Sequence, residues 1–347
     1  MMRFKLLLHR FFRRLYFEDS PGFLAKIAGG LLKLLVPGYI FLRFCDYRIK
    51  TASRRKLSTP VVSIGNLSVG GTGKTAFVLW LVKQLENDGY NCAVLKRGQG
   101  EKEGIIKGKT NHPDLYGDET ALVNHHFPNV PVGVGADRWQ WGQKIENQFP
   151  ELDIFILDDG FQHYRLAREL DLVLIGSIAE IKAARLPAGP MRESVSALDR
   201  ADFLSLKTGG GKLPDAWKEF CATYVESLPM GHYYDFKGIW RDDEEMTDSY
   251  RKKQLILLST LARPSRLIEF LENEGLEVAD CISLPDHARI DGSILTGLDL
   301  ERVVVTEKEL VKLPDSSRKK IGCLRSEMVV EPDREFLSAV QELLEEN

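Results

Sequence analysis

The chain has 347 residues, 44% of them apolar, which is enough to bury a full core in about two domains. Five cysteines, at 45, 92, 221, 281 and 323, are odd in number and lack CxxC spacing, which excludes a disulfide framework and a cysteine zinc site. The formal net charge of −3 hides an asymmetry: residues 1–56 hold thirteen Lys/Arg against three Asp/Glu, so this arm is +10 and the rest of the chain is −13.

A basic arm of that kind seeks an anionic surface, either membrane or nucleic acid. The apolar pattern chooses the membrane, because Phe4, Leu7, Leu8, Phe11, Phe12 and Leu15 recur at helical spacing with Arg3, Lys5, Arg10, Arg13 and Arg14 between them. An interfacial helix on an anionic membrane is expected, and no nucleic-acid partner. The competing reading is a helix docked on the protein's own core. A second apolar segment, Phe23 to Phe44, is broken by Lys26, Lys33, Pro37 and Arg43 and falls short of the roughly 20 residues that cross a bilayer. Basic residues also interrupt the leading apolar stretch and no small-residue cleavage site follows, so no signal peptide is expected.

Beyond the arm, Pro60 to Gly65 reads as a strand and Thr75 to Asn87 as a helix, joined by GNLSVGGTGKT at 65–75. Strands follow at 91–95, 130–134, 154–157 and 172–175, with a helix at 119–126. This alternation predicts an α/β fold with a doubly wound, mostly parallel sheet of the P-loop NTPase kind. Residues 222–251 turn aromatic-rich and alternating, as a strand pair or linker. A second, smaller α/β unit then reads as a strand at 255–258, a helix at 264–274, a strand at 303–306 and a final helix at 334–344. The expected divisions are 1–56, 57–221, 222–251 and 252–347.

A strand, a glycine-rich loop and a helix in that order make a nucleotide-phosphate site. Gly70, Gly71, Thr72 and Gly73 offer backbone N–H groups to phosphate oxygens at a helix N-terminus, Lys74 reaches the β and γ oxygens, and Thr75 presents a hydroxyl to Mg²⁺. Ser68 stands where the usual loop has its first glycine. Asp158 and Asp159 end an apolar strand, where an acidic residue holds Mg²⁺ opposite such a loop, and Gln162 and His163 lie one turn further on. Asp118 and Glu119, in YGDET, read either as a general base or as the acidic first turn of a helix. Arg192, after the rigid turn of LPAGPMRES, suits bidentate phosphate contact. His287, in LPDHARI, reads by itself as a surface loop histidine, and Lys308 as a solvated helix-start residue.

Taken in order, GNLSVGGTGKT, GDE at 117–119, ADR at 136–138, LDDGFQH at 157–163, LPAGPMRES, LARPSRL at 261–267, PDH at 285–287 and VTEK at 305–308 resemble the tetraacyldisaccharide 4'-kinase family. These are membrane-associated enzymes that phosphorylate a lipid A precursor with ATP. In that pattern Ser or Thr is usual at the Ser68 position. The resemblance implies two α/β domains joined by a short β linker, with the site in the cleft. It makes Asp118 the base for the sugar hydroxyl, assisted by His287, with Glu119 nearby. Lys74, Thr75, Asp158, Asp159 and Gln162 become the phosphate and Mg²⁺ set, and Arg192 and Glu193 fall on the family's RE pair, with Glu193 expected on the metal. The chain departs from the pattern in VLKRGQGE at 94–101, where SRGY is usual, in Ala76 for a proline and in Glu309 for an aspartate.

The implied activity is γ-phosphate transfer from ATP to the 4'-hydroxyl of an acylated glucosamine disaccharide, at the cytoplasmic face of a bacterial inner membrane. The alternative is a membrane-associated switch or partitioning NTPase. Val69, where partitioning ATPases carry a second lysine, and the lack of an NKxD segment disfavour it.

Overall fold

The computed structural model describes residue 16 and residues 29–69, 71–98, 102–108, 113–208, 217, 220, 230–261, 264–285, 288, 290 and 292–346. The apolar stripe expected over residues 4–15 lies outside these. The strands of the first half are β1 (Val61–Asn66), β2 (Cys92–Lys96), β3 (Gly104–Ile106), β4 (Val132–Val134), β5 (Ile154–Asp158), β6 (Leu170–Ile175) and β7 (Phe203–Lys207). Those of the second are β8 (Met230–Arg241), β9 (Glu244–Glu245), β10 (Gln254–Ser259), β11 (Glu277–Ser283), β12 (Val303–Thr306) and β13 (Gly322–Glu331).

All join one sheet in the order β11-β10-β12-β13-β8-β7-β6-β1-β5-β2-β4-β3, with β9 paired to β8. Pairing is parallel except at β3–β4, β8–β13 and β8–β9. The central strands explain why: VVSIGN of β1 and IFILD of β5 are buried at every position, as strands covered on both faces by crossover helices must be. The expected strand pair over 222–251 is present as β8 and β9. Their two-residue turn is Asp242–Asp243, both at positive φ (48° and 63°), the twist that suits a tight hairpin.

Seven helices matter for the site: α1 (Val36–Ala52), α2 (Lys74–Asn87), α3 (Asp118–His126), α4 (Arg138–Gln148), α5 (Pro264–Asn273), α6 (Glu307–Leu310) and α7 (Arg334–Glu345). The last helix returns to the first half. Phe336 of α7 packs against Phe77 and Trp80 of α2 (ring centroids 6.0 and 6.4 Å) and Phe203 of β7 (5.2 Å), so the two halves of the chain share one core.

Helix α1 behaves differently, burying no residue. Ile40, Phe41, Leu42, Phe44 and Ile49 are exposed along it, and Leu31, Leu34 and Leu35 precede it in the same state. Eight large apolar side chains exposed within residues 31–49 depart from the scattered single exposures usual on a protein surface. No helix among the described residues is long and apolar enough to cross a membrane.

Candidate active site

Strand β1 lies between β5 and β6, with Ile64 opposite Asp158, so the glycine-rich loop leaves the sheet level with the acidic end of β5. Two glycines shape this region. Gly65 lets the Phe161 backbone close in, since a Cβ there would sit 2.3 Å from the Phe161 Cβ. Gly73 precedes α2 at φ +92°, where a side chain would be strained and would meet the Tyr234 hydroxyl at 2.9 Å. Asn66 Nδ2 donates to Thr72 Oγ1 (3.1 Å), and Ser68 Oγ to Glu180. The LPAGPMRES segment is strapped alongside by Val69 N–H to Pro190 O (2.8 Å) and Arg192 N–H to Leu67 O (2.7 Å).

Lys74 opens α2 with its Nζ 3.4 Å from Asp159 Oδ1. Arg192 donates to both oxygens of the same carboxylate, each at 2.9 Å, and to Gln162 Oε1 at 3.1 Å. Burial works upward on Asp159, but Lys74 and Arg192 hold its carboxyl down at about 2. Its neighbour goes the other way: burial, with Glu119 and Asp159 close by, pushes Asp158 up to about 6. Glu119 is held well below the usual range by Lys96, whose Nζ lies 2.9 Å from Glu119 Oε2. Burial works downward on Lys96, and Glu119, Asp158 and Asp118 together outweigh it, so the net direction is up.

Asp118 opens α3 and is buried, with Oδ1 accepting the Glu119 N–H at 3.1 Å. Two lysines from the far half converge on Oδ2: Lys312 Nζ at 2.7 Å and Lys308 Nζ at 3.5 Å. Glu309 fixes the helix that carries Lys308 and leads into Lys312. Its buried carboxylate accepts from Thr260 N–H (3.0 Å) and Oγ1 (2.6 Å) and closes a capping box with Thr306.

This arrangement of loop, acidic strand end and RE segment is matched over residues 29–345 by the family model described as tetraacyldisaccharide-1-P 4'-kinase. The chain belongs to this family. The tetraacyldisaccharide 4'-kinase of Pelobacter propionicus is 32% identical, over 91% of this chain and 93% of that one. That of Azoarcus is 33% identical over 81% of each. The crystal structure of LpxK from Aquifex aeolicus in complex with ATP superposes with a TM-score of 0.73 at 27% identity, covering 91% of this chain and 99% of that one.

Against this family background, the structure gathers Lys74, Asp158, Asp159, Gln162 and Arg192 around the phosphate loop, with Thr75 second in α2. Gln162 holds the loop as well as lining it, since its Nε2 donates to Asn66 O at 2.8 Å. His163, next along, has its Nδ1 facing Arg138 at 2.8 Å, and burial, with Arg138 beside it, pushes it down to about 3, so it is neutral. Glu193, expected on the metal, sets its carboxylate against Arg200 (2.9 Å) and Arg43 (3.6 Å), while its buried Oε1 makes no hydrogen bond among the described residues. Lys308 is not the solvated residue expected, and Gly70 and His287 lie outside the described residues.

Sequence reasoning missed Lys96, Lys312 and Arg138. Lys96 stands in the segment that departs from the family pattern, so the resemblance gave no role for it. Arg138 was visible in ADR, where Asp137 caps α4 through the Gln140 N–H (3.3 Å) and turns the arginine into the interior. Nothing in the sequence marked Lys312, five residues beyond the start of α6.

Proposed function

We infer that the chain transfers the γ-phosphate of ATP to the 4'-hydroxyl of tetraacyldisaccharide 1-phosphate. The observation that carries this is the convergence of Lys74 and Arg192 on Asp159, beside the phosphate loop, in a member of this kinase family. Phosphoryl transfer needs mainly positioning and charge neutralisation, and the loop, Lys74 and Arg192 supply both. Asp118 takes the proton of the sugar hydroxyl, with His287 assisting as the resemblance implies. We keep 57–221 and 252–347 as the two functional units, the second bringing Lys308 and Lys312 to the base.

The donor set suits Mg²⁺, since Asp158 and Asp159 are hard oxygen ligands and Asp158 holds buried charge that a cation would relieve. Mg²⁺ keeps several waters and takes only one or two carboxylates, so a larger acidic cage is not required. Thr75, Asp158 and Asp159 would hold the ion, which neutralises charge on the nucleotide phosphates. Asp158 must lose its proton to bind it. Cation affinity should therefore be steady well above pH 6 and fall roughly tenfold per unit as pH drops below about 6. Titrating Mn²⁺ as a paramagnetic reporter into nucleotide-free protein across this range checks it. A flat profile would place the ion elsewhere.

The exposed apolar face of α1 and the basic arm support peripheral binding at the cytoplasmic face of an inner membrane, where the acceptor's acyl chains are buried and its sugars are presented. The deciding experiment follows labelled γ-phosphate from ATP into purified disaccharide 1-phosphate lipid in detergent micelles. Labelled lipid is expected; ATP hydrolysis without it would favour the switch NTPase.

A further inference from the structure

His232 is a core histidine with only one ring nitrogen satisfied. It lies in β8, level with Lys207 of β7 and Val330 of β13, and is wholly buried. Its Nδ1 meets Ser205 Oγ at 2.9 Å. Its Nε2 is buried too and has no hydrogen-bond partner among the described residues. Burial, with Lys207 nearby, pushes the ring down to about 4, so it is neutral and one nitrogen carries the hydrogen. A buried polar atom left unpaired costs free energy, and native folds rarely keep one without a use.

Nε2 faces the phosphate loop. A Cβ added to Gly73 would lie 3.9 Å from it, and the Thr72 backbone works upward on the ring, as a carbonyl opposite an imidazole N–H does. Thr72 is buried, and Asn66 Nδ2 already fixes its side chain from the end of β1 (3.1 Å). The peptide joining Thr72 to Gly73 is trans, so its C=O and N–H point in opposite directions. A hydrogen bond that draws the carbonyl into the core therefore turns the Gly73 N–H out of it, toward bound phosphates.

We propose that His232 is a positioning residue of the phosphate loop, whose Nε2–H donates to the Thr72 carbonyl and so aims the Gly73 N–H at the phosphates of ATP. The proposal rests on the nucleotide reading of the loop. Phosphate oxygens that pull the Gly73 N–H outward push the carbonyl toward Nε2 by the same peptide geometry, so the bond tightens on binding. Ser205 selects the required tautomer by donating its hydroxyl hydrogen to Nδ1.

Asparagine and glutamine separate the two ring nitrogens, because an Asn amide extends about as far as Nδ1 and a Gln amide about as far as Nε2. Calorimetry with ADP on the full chain, beside thermal unfolding of the same preparations, reads the difference. His232→Asn keeps a partner for Ser205 and removes the donor to the loop, so Kd for ADP should rise roughly three- to tenfold, the worth of one neutral hydrogen bond. His232→Gln keeps the donor, and should bind ADP within about twofold of wild type although Ser205 loses its partner and stability falls further. In the Asn variant KM for ATP should rise by the same factor while kcat and KM for the lipid hold, since bound ATP and the transition state lose the same contact. Wild-type protein gives a reading that needs no folded variant: with its histidine rings isotope-labelled, nuclear magnetic resonance should find the His232 hydrogen on Nε2 and its signal moved by ADP. Equal weakening by Asn and Gln, no weakening by Asn, or a hydrogen on Nδ1 would overturn the proposal and leave His232 as core packing. Wild-type protein that fails to bind ADP at all would remove the nucleotide reading, and the proposal with it.

Discussion

Lys74→Ala lowers kcat for lipid phosphorylation by roughly two or more orders of magnitude, the range seen when a preorganised charge is removed from a developing transition state. The fold should survive. The Lys74 side chain is mostly buried and sits 3.4 Å from Asp159, so the concern is that its loss leaves a half-buried carboxylate, 32% exposed, unpaired. Arg192 answers that concern, since it contacts both Asp159 oxygens at 2.9 Å and remains in place. The stability cost should therefore stay within about 1 to 2 kcal/mol, well short of the roughly 3 to 5 kcal/mol of an orphaned buried charge. Single-turnover transfer and calorimetric unfolding of the same preparation separate the two effects. Unchanged turnover at saturating ATP would remove Lys74 from the phosphate site.

The central sheet was legible because its strands are short apolar runs set between turn residues and periodic helices. Val61 to Asn66, Ile154 to Asp158 and Val303 to Thr306 lie within a residue or two of expectation. The pairing of β8 with β13 was not legible, because alternation in 230–241 fits any exposed ribbon and says nothing about a partner some ninety residues away. That pairing merges the two halves into one sheet and carries the phosphate loop's support: Tyr234 and Met328 meet Gly73 from β8 and β13. The site was legible where local chemistry is unusual, as in the glycine loop, DDG and the RE pair. It was not legible where an ordinary lysine acquires meaning from burial. No local pattern singles out Lys96 or Lys312, and only the folded chain sets them on Glu119 and Asp118.

The Lys312 contact makes the role of Asp118 testable in a way that substituting Asp118 alone does not. Asp118 and Lys312 are both almost wholly buried and 2.7 Å apart, so either could matter for stability alone. Lys312→Met leaves Asp118 with only Lys308 of the two lysines, at 3.5 Å, and should cost about 3 kcal/mol of stability, near the lower end for breaking a buried pair. Asp118→Asn in the same background removes the uncompensated charge, so the double variant should regain much of that loss. Activity should not follow stability. A sugar hydroxyl is a weak nucleophile at neutral pH, and losing a positioned base costs roughly 100- to 10,000-fold. Asp118→Asn should therefore lower kcat by that factor with little change in KM for ATP, and the double variant should remain equally slow although it is more stable than Lys312→Met. Urea unfolding and transfer rates are measured on the wild type, both single variants and the double. If kcat in the double variant recovers together with stability, Asp118 and Lys312 form a structural clasp between the two halves. If Asp118→Asn alone retains near-normal turnover, the residue belongs to the first turn of α3 and the base must be sought elsewhere.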